Sequence, residues 1–264
     1  MPGYYPERVK RMLRLQKKYN IVQHGNRILE IGTGWLHWEA LTLRLFYDIG
    51  AVLFDVWDNR QLGGLKNYIR QLGDMLGSGF ELSAGELKRA RGLIQQIVEL
   101  ESFTDLYNLL GFEYAIQSSG SLEQFSSGSF QLVVSGGVLE HVKRAALPTL
   151  IRETERVLKP GGRAVHSIDT ADHLEHYDGS VSPKLYLTFS DETWIRLFEN
   201  EVQYINRMQR GEWLELFKAN GFDLIEDDVR RVDISKLRLA NRYRHMERSD
   251  LECTVLKVAL RKPI

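Results

Sequence analysis

The chain has a single cysteine, Cys253, so no disulfide can close within it and a site built on several thiolates is excluded. It has no excess charge of either sign. Its 35 Lys and Arg balance 35 Asp and Glu, leaving no general field to draw in nucleic acid or an anionic membrane. Long apolar runs are missing as well: no stretch reaches membrane-spanning length, and Met1–Asn20 is charged and aromatic where a secretory signal would be apolar. The basic run Lys236–Arg248 lacks a base-stacking motif and is tempered by Glu247 and Asp250, so it reads as a solvated face. These absences point to a cytoplasmic protein with no nucleic-acid partner and no membrane insertion. At 264 residues, without internal repeats, the length suits one α/β domain with elaborations, or one domain and a small satellite.

What is present alternates between strand and helix patterns. Met1–Gln23 reads as a basic helix with an imperfect apolar stripe, and Ile28–Ile31 as a first strand. Trp35–Tyr47 follows as helix, and Ala51–Trp57 is a short, nearly all-apolar strand, as expected when both faces are covered. Asn59–Phe112 is far longer than the dozen or so residues a plain crossover needs. It reads as an insertion of two or three helices: Gln61–Leu76, a break at Gly77–Gly79, then a helical region from Ser83 to Leu110 with a capping box at Ser83 and Glu86. Tyr114–Gln117 and Phe130–Ser135 are further strands, the former followed by a polar loop at Ser118–Ser121. Helix begins at Val138–Val142, resumes at Leu147–Leu158 and stops at Lys159-Pro160-Gly161-Gly162. Arg163–Ile168 is the fifth strand, and a polar segment covers Asp169–Asp191. Helices at Glu192–Glu199 and Glu212–Asn220 lead to two closing strands, Phe222–Glu226 and Thr254–Leu260. The pattern predicts a mostly parallel sheet with an antiparallel edge.

The chemistry begins at Arg27–Trp35, where a buried strand stops in a glycine turn and restarts as helix. Such a junction offers bare backbone N–H groups to a nucleotide-like ligand, and NAD and S-adenosylmethionine (SAM) proteins both use one. Gly32 permits the tight turn and Gly34 a close backbone approach. A dinucleotide site wants a third glycine where this chain has His37, and the carboxylate of Glu30 suits a ligand with an ammonium group better than one with a pyrophosphate. Asp55, roughly 20 residues past the turn, sits where this fold class places a carboxylate for ribose hydroxyls. Asp58 is its rival, read instead as the cap of a helix opening at Asn59.

Five blocks then occur in order: Arg27–Trp35, Val52–Asp55, Ser129–Ser135, Val138–Val142 and Glu155–Gly162. Together they resemble the class I SAM-dependent methyltransferases of the small-molecule, type 11 kind, over roughly residues 25–168. The resemblance implies a Rossmann-like, seven-stranded, mostly parallel sheet with a reversed last hairpin and helices on both faces. One methyltransferase domain would span residues 1–264, with an N-terminal helix over 1–24, the insertion at 59–112 and an acceptor-side cap at 169–220. Glu30, Gly32 and Gly34 would surround the methionine part of SAM, Thr33 between them belongs to the same cofactor set, Asp55 would hold the ribose and Val56 would pack on adenine. Ser118, Ser119 and Ser135 complete the cofactor set. The chain departs from the family at Leu36 (usually glycine), at Ser118 (commonly an acid) and at Gln131 (usually Asp). An NAD(P)-binding oxidoreductase and a silent SAM-binding scaffold or sensor are the alternatives.

Methyl transfer from a sulfonium asks for in-line positioning, exclusion of water and a base for a hydroxyl or ammonium acceptor. Glu140 and His141 follow the fourth strand, where related N-methyltransferases place an acceptor-facing pair. His173 and His176, in the cluster His166, Asp169, Asp172, His173, Glu175 and His176, are further candidate bases; on a helix Asp169/His173 and Asp172/His176 would be neighbours. The cluster lacks a strong metal signature, and no metal is expected. The acceptor is expected to be a small molecule or saccharide, methylated on oxygen or nitrogen, with the oligomeric state left open.

Overall fold

The computed structural model describes every residue except Tyr177 and 200–203, with the side chain of His176 also outside the described residues. Among the described residues seven strands form one sheet: β1 (Arg27–Ile31), β2 (Gly50–Asp55), β3 (Phe112–Ile116), β4 (Phe130–Gly136), β5 (Leu158–Asp169), β6 (Asp223–Arg231) and β7 (Cys253–Arg261). Their order is β3-β2-β1-β4-β5-β7-β6. β1 pairs in parallel with β2 and β4, β2 pairs in parallel with β3, and the last pair, β6 and β7, is antiparallel. This is the mostly parallel sheet with a reversed final hairpin that the sequence predicts.

The chain divides into two compact units, the first of Met1–Ser135 with Val157–Arg163, the second of Gly136–Arg156 with Ala164–Ile264. In the first, β1 and β2 are almost wholly buried because their Ile, Leu, Val and Phe side chains are covered on both faces. Helix α2 (Trp38–Phe46) is buried along nearly all of its length, and α1 (Tyr4–Tyr19) covers it with Tyr5, Val9, Met12 and Leu15. A part-buried ion pair joins them, Arg8 Nε donating to Glu39 at 2.6 Å. The insertion is three helices, α3 (Leu62–Gly79), α4 (Ala84–Glu99) and α5 (Phe103–Leu110). The capping box at Ser83 and Glu86 starts α4 as predicted.

In the second unit, α6 (Leu147–Val157), α7 (Asp191–Leu197), α8 (Arg210–Ala219) and the short α9 (Arg248–Leu251) accompany the final strands. Tyr186, Leu187, Trp194, Ile205, Ile234, Tyr243 and Leu251 make one apolar cluster.

Four sequence expectations shift. Helix α3 runs through Gly77 to Gly79 without a break. Helix α2 begins at Trp38, because His37 takes a left-handed conformation at φ 52° and keeps Trp35–His37 in the turn. The Lys159–Gly162 block lies within β5, with Gly161 at φ 72°, since α6 ends at Val157 and the chain passes straight into extended pairing. After β4 there is one 3-10 turn, Leu139–His141, in place of a helix start. No helix among the described residues is long and apolar enough to cross a membrane.

Candidate active site

The first unit gathers candidate residues at the carboxyl ends of neighbouring parallel strands, where ligands of open α/β sheets bind. After β1, Gly32 and Gly34 take positive φ of 64° and 60°. The N–H groups of Gly32 and Thr33 both donate to the carbonyl of Phe54, at 2.8 and 3.1 Å, which ties the turn to the end of β2. The next residue of that strand is Asp55. Its Oδ2 accepts the Gly34 N–H at 2.9 Å, and its Oδ1 accepts the Val56 N–H at 2.8 Å. Each carboxylate oxygen has two acceptor sites, so capacity for a ligand's hydroxyls remains.

Asp58 differs on each count. It is exposed and accepts from its near neighbour Arg60, through the backbone N–H at 3.1 Å and Nε at 2.9 Å. That hydrogen bonding holds its carboxyl down at about 2. It does not cap α3, whose N-cap is Gln61 with no side-chain bond. The chain stays irregular for two residues beyond Asn59, and Asp58 closes a local turn instead.

Glu30 is buried, its Oε2 accepting the Ala40 N–H at 2.7 Å in the first turn of α2. Burial, then the nearby Glu39 carboxylate, push its pKa well up. Val56, Trp57 and Ile116 expose apolar surface at the ends of β2 and β3. Ser118 and Ser119 lie exposed in the loop after β3, where a Cβ added at Gly120 would sit 3.7 Å from Val56 Cγ1. Ser135 is buried near the end of β4.

A hydrogen-bonded chain that sequence reasoning missed runs from this turn into the insertion. Thr33 Oγ1 lies 2.8 Å from Nδ1 of His37, whose Nε2 lies 3.0 Å from the Tyr107 hydroxyl on α5. Burial pushes the imidazole down to about 3, so it is neutral. The guanidinium of Arg60 sits 4.2 Å from the Tyr114 ring centre and 5.1 Å from that of Phe103. The only sequence signal was negative, a histidine standing where a dinucleotide fold wants glycine.

In the second unit, Glu140 is buried with Oε1 accepting the Asp169 N–H at 3.1 Å, which joins the turn after β4 to the end of β5. Buried Asn206 pins the same turn: its Nδ2 donates to the carbonyls of Leu139 at 2.8 Å and Val142 at 3.1 Å. His141 is exposed, and its Nδ1 lies 2.9 Å from the carbonyl oxygen of Tyr204. A carbonyl only accepts, so Nδ1 is the donor, and in the neutral ring Nε2 has the lone pair. The His173 ring centre is 5.2 Å away. Asp169 ends β5, so the helical pairing of Asp169 with His173 does not form. Asp172 is buried and accepts backbone N–H groups from Leu174 at 3.0 Å and Tyr186 at 2.9 Å; it shapes the segment and burial raises its pKa. The side chain of His176 lies outside the described residues. Among the described residues no three His, Cys, Asp or Glu side chains converge as a metal site would require.

Solved structures of low identity share the fold. A SAM-dependent methyltransferase of Methanosarcina mazei aligns at TM-score 0.51 and 14% identity, covering 94% of this chain and 97% of its own. A phosphoethanolamine N-methyltransferase 2 of Haemonchus contortus, bound to phosphomonomethylethanolamine and S-adenosylhomocysteine (SAH), aligns at TM-score 0.52 and 14% identity. It covers 96% of this chain, which spans about half (52%) of that one. A Bacillus halodurans methyltransferase structure aligns at TM-score 0.50 and 16% identity, covering 96% of this chain and 99% of its own. No curated protein matches the sequence. The family model described as "Methyltransferase domain" matches residues 1–227, most of the chain, and bears out the resemblance read from the five ordered blocks. The chain therefore belongs to the methyltransferase domain family, as an enzyme of the class I, SAM-dependent type.

Proposed function

We propose that the protein transfers the methyl group of SAM to oxygen or nitrogen of a small-molecule or saccharide acceptor, in a reducing, cytoplasmic setting. The observation that carries the donor half is the junction of turn and strand: two glycines in left-handed backbone, with the Asp55 carboxylate accepting the N–H of the second, Gly34. That donor set fits SAM. The backbone of Gly32–Gly34 can approach the amino-acid end, and Asp55 can accept ribose hydroxyl hydrogens. Exposed Val56 and Ile116 offer apolar surface for adenine beside the loop of Ser118 and Ser119. Glu30 contributes at one remove, by holding the start of α2 behind the turn.

When bound, SAM supplies an electrophilic methyl carbon on a sulfonium. What remains for the chain is to orient the acceptor, exclude water and take its proton. His141 is the leading base, because the Tyr204 carbonyl fixes the tautomer that leaves Nε2 basic. His173 beside it, and His176 farther along, are the other candidates. Glu140, buried and bonded to the Asp169 backbone, is read as a residue that positions this turn. The whole of 1–264 is read as one catalytic domain, with 1–24, 59–112 and 169–220 as its elaborations.

The test is a calorimetric titration of purified protein with SAH and with NADH, followed by turnover of methyl-labelled SAM against fractionated metabolites and oligosaccharides. SAH binding without NADH binding, and label in an acceptor fraction, is expected. NADH binding without SAH binding would overturn the reading. SAH binding with no labelled product would restrict the protein to a sensor or scaffold.

A further inference from the structure

Between Asp55 at the end of β2 and Leu62 at the start of α3 the chain has no regular structure, yet it carries Val56 and Trp57, which are 36% and 66% exposed. A loop that faces solvent in this way must be ordered before a ligand can rest on it, and ordering at the moment of binding lowers affinity. The ends are fixed by backbone donors: the Val56 N–H reaches Asp55 Oδ1 at 2.8 Å, and the Leu65 N–H reaches the Gln61 carbonyl at 2.9 Å.

The middle is held by Arg60. Asp55 pairs with Ile116 and Leu53 with Tyr114, so Tyr114 lies two residues back from the end of β3. The Arg60 guanidinium nevertheless sits over the Tyr114 ring, 4.2 Å from its centre, so the loop doubles back across the outermost strand of the sheet. Helix α5 of the insertion adds two more rings, Phe103 at 5.1 Å and Tyr107 at 5.9 Å, within the range at which a ring face attracts a cation. Asp58 aims the guanidinium, accepting from Nε at 2.9 Å and from Nη2 at 2.6 Å. A planar fork can offer its edge to a carboxylate and its face to rings at once, which an ammonium group cannot. The Tyr114 hydroxyl also comes to 3.5 Å from the Trp57 carbonyl oxygen.

We infer that Arg60 clamps the β2–α3 loop onto the rings of Tyr114, Phe103 and Tyr107, and so presets the apolar surface of Val56 and Trp57 on which the adenine of SAM would rest. Arg60 is thus a positioning residue. Two of its three rings come from the helical insertion, which gives that insertion a part in donor affinity. The inference rests on the SAM reading of the turn and Asp55.

The test uses the full-length protein labelled with 5-fluorotryptophan, the Trp57 fluorine-19 resonance being identified by its loss in Trp57→Phe. Arg60→Met removes the guanidinium and keeps most of the stem, Arg60→Lys keeps the charge without the fork, and Arg70→Met removes an equal charge from an exposed site on α3. In wild type the Trp57 resonance should be single and should shift on addition of SAH. Arg60→Met should broaden or split it in the free protein, and saturating SAH should restore one line. Calorimetry should show SAH binding weakened by roughly 3-fold to 10-fold, the scale of a partly desolvated cation–π contact. Arg60→Lys should fall between, and Arg70→Met should match wild type in both readings. An unchanged free-state resonance in Arg60→Met would overturn the clamp; weaker SAH binding alongside it would make Arg60 a direct ligand contact instead. A disturbed resonance with unchanged SAH affinity would overturn the link between the loop and the donor site. If wild type bound no SAH, the donor reading would fall and the adenine role with it, while the Arg60→Met resonance would still report whether the clamp exists.

Discussion

Two adjacent glycines at the start of α3 offer a controlled probe of the donor turn. A Cβ built on Gly64 would lie 2.6 Å from Cζ3 and 2.9 Å from Cε3 of Trp35, the residue that follows Gly34. A Cβ on Gly63 meets nothing within 4 Å. Either change to alanine gains up to about 0.5–1 kcal/mol by lowering the backbone entropy of the unfolded chain. Gly63→Ala should show that gain alone. Gly64→Ala must also displace an indole that packs edge-to-face on Tyr68 with ring centres 5.0 Å apart. Overpacking of this kind costs about 1–3 kcal/mol, so the net effect is a destabilisation of roughly 1 kcal/mol. For a chain of this size that is a fall in Tm of about 2–4 °C, against a rise of about 1–3 °C for Gly63→Ala. Scanning calorimetry gives both, and an SAH titration reads the turn: Gly64→Ala should weaken binding severalfold while Gly63→Ala leaves it unchanged. Two variants of equal stability and equal affinity would refute the coupling of Trp35 to the turn.

Other expectations concern charge, caps and the acceptor-side turn. Lys184 is buried, donating from Nζ to the Thr170 carbonyl at 2.7 Å, the Tyr186 hydroxyl at 2.9 Å and Gln209 Oε1 at 3.1 Å; burial pushes it down to about 7. Its folded value lies below the unfolded one of about 10.4, so the unfolded chain binds more protons between the two and stability rises with pH across that window. Lys184→Met should flatten this part of the Tm–pH curve between pH 7 and 10, and an unaltered slope would contradict it. Glu30 shifts the other way: with its folded pKa raised, its stabilising contribution is present below the unfolded value and lost as pH rises. The advantage of Glu30→Gln in thermal denaturation should therefore grow from pH 4 upward. Ser83→Ala removes the capping box of α4 and should cost about 1 kcal/mol in chemical denaturation, with SAH affinity unchanged. Asn206→Ala strips buried hydrogen bonds from the turn holding Glu140 and His141; it should cost about 1–3 kcal/mol and slow methyl transfer more than it weakens SAH.

The parts legible in the sequence are those with a local cause. The apolar runs of β1 and β2, the glycines between β1 and α2, and Ser83 with Glu86 each announce a structure that neighbouring residues alone decide. What was misread depended on distant partners. Gly73 and Gly77 lie where α3 meets α4: a Cβ on Gly77 would be 2.8 Å from Arg91 Nη2, and one on Gly73 would be 3.3 Å from Ile94 Cδ1. They mark close helix packing, not a helix end. Lys159–Gly162 carries the proline and glycines of a helix stop, yet Gly162 faces the Gln131 carbonyl of β4 so closely that a Cβ would come within 3.1 Å. Sheet pairing overrode the local signal there. In the candidate site, Asp55 and the turn were readable from spacing, whereas the partners of Glu30, His37 and Asp172 lie 10, 70 and 14 residues away. No local pattern encodes those pairs.

The central claim, that the β1 turn and Asp55 hold SAM, is tested most directly by titrating SAH into Asp55→Ala and Asp58→Ala. Asp55 is buried and bonded to the Gly34 N–H, whereas Asp58 is exposed on Arg60. Losing hydrogen bonds to a charged carboxylate costs about 1.5–3 kcal/mol each, so Asp55→Ala should weaken SAH by at least about 10-fold and Asp58→Ala by no more than about 3-fold. The reverse ranking, or equal affinities, would contradict the account.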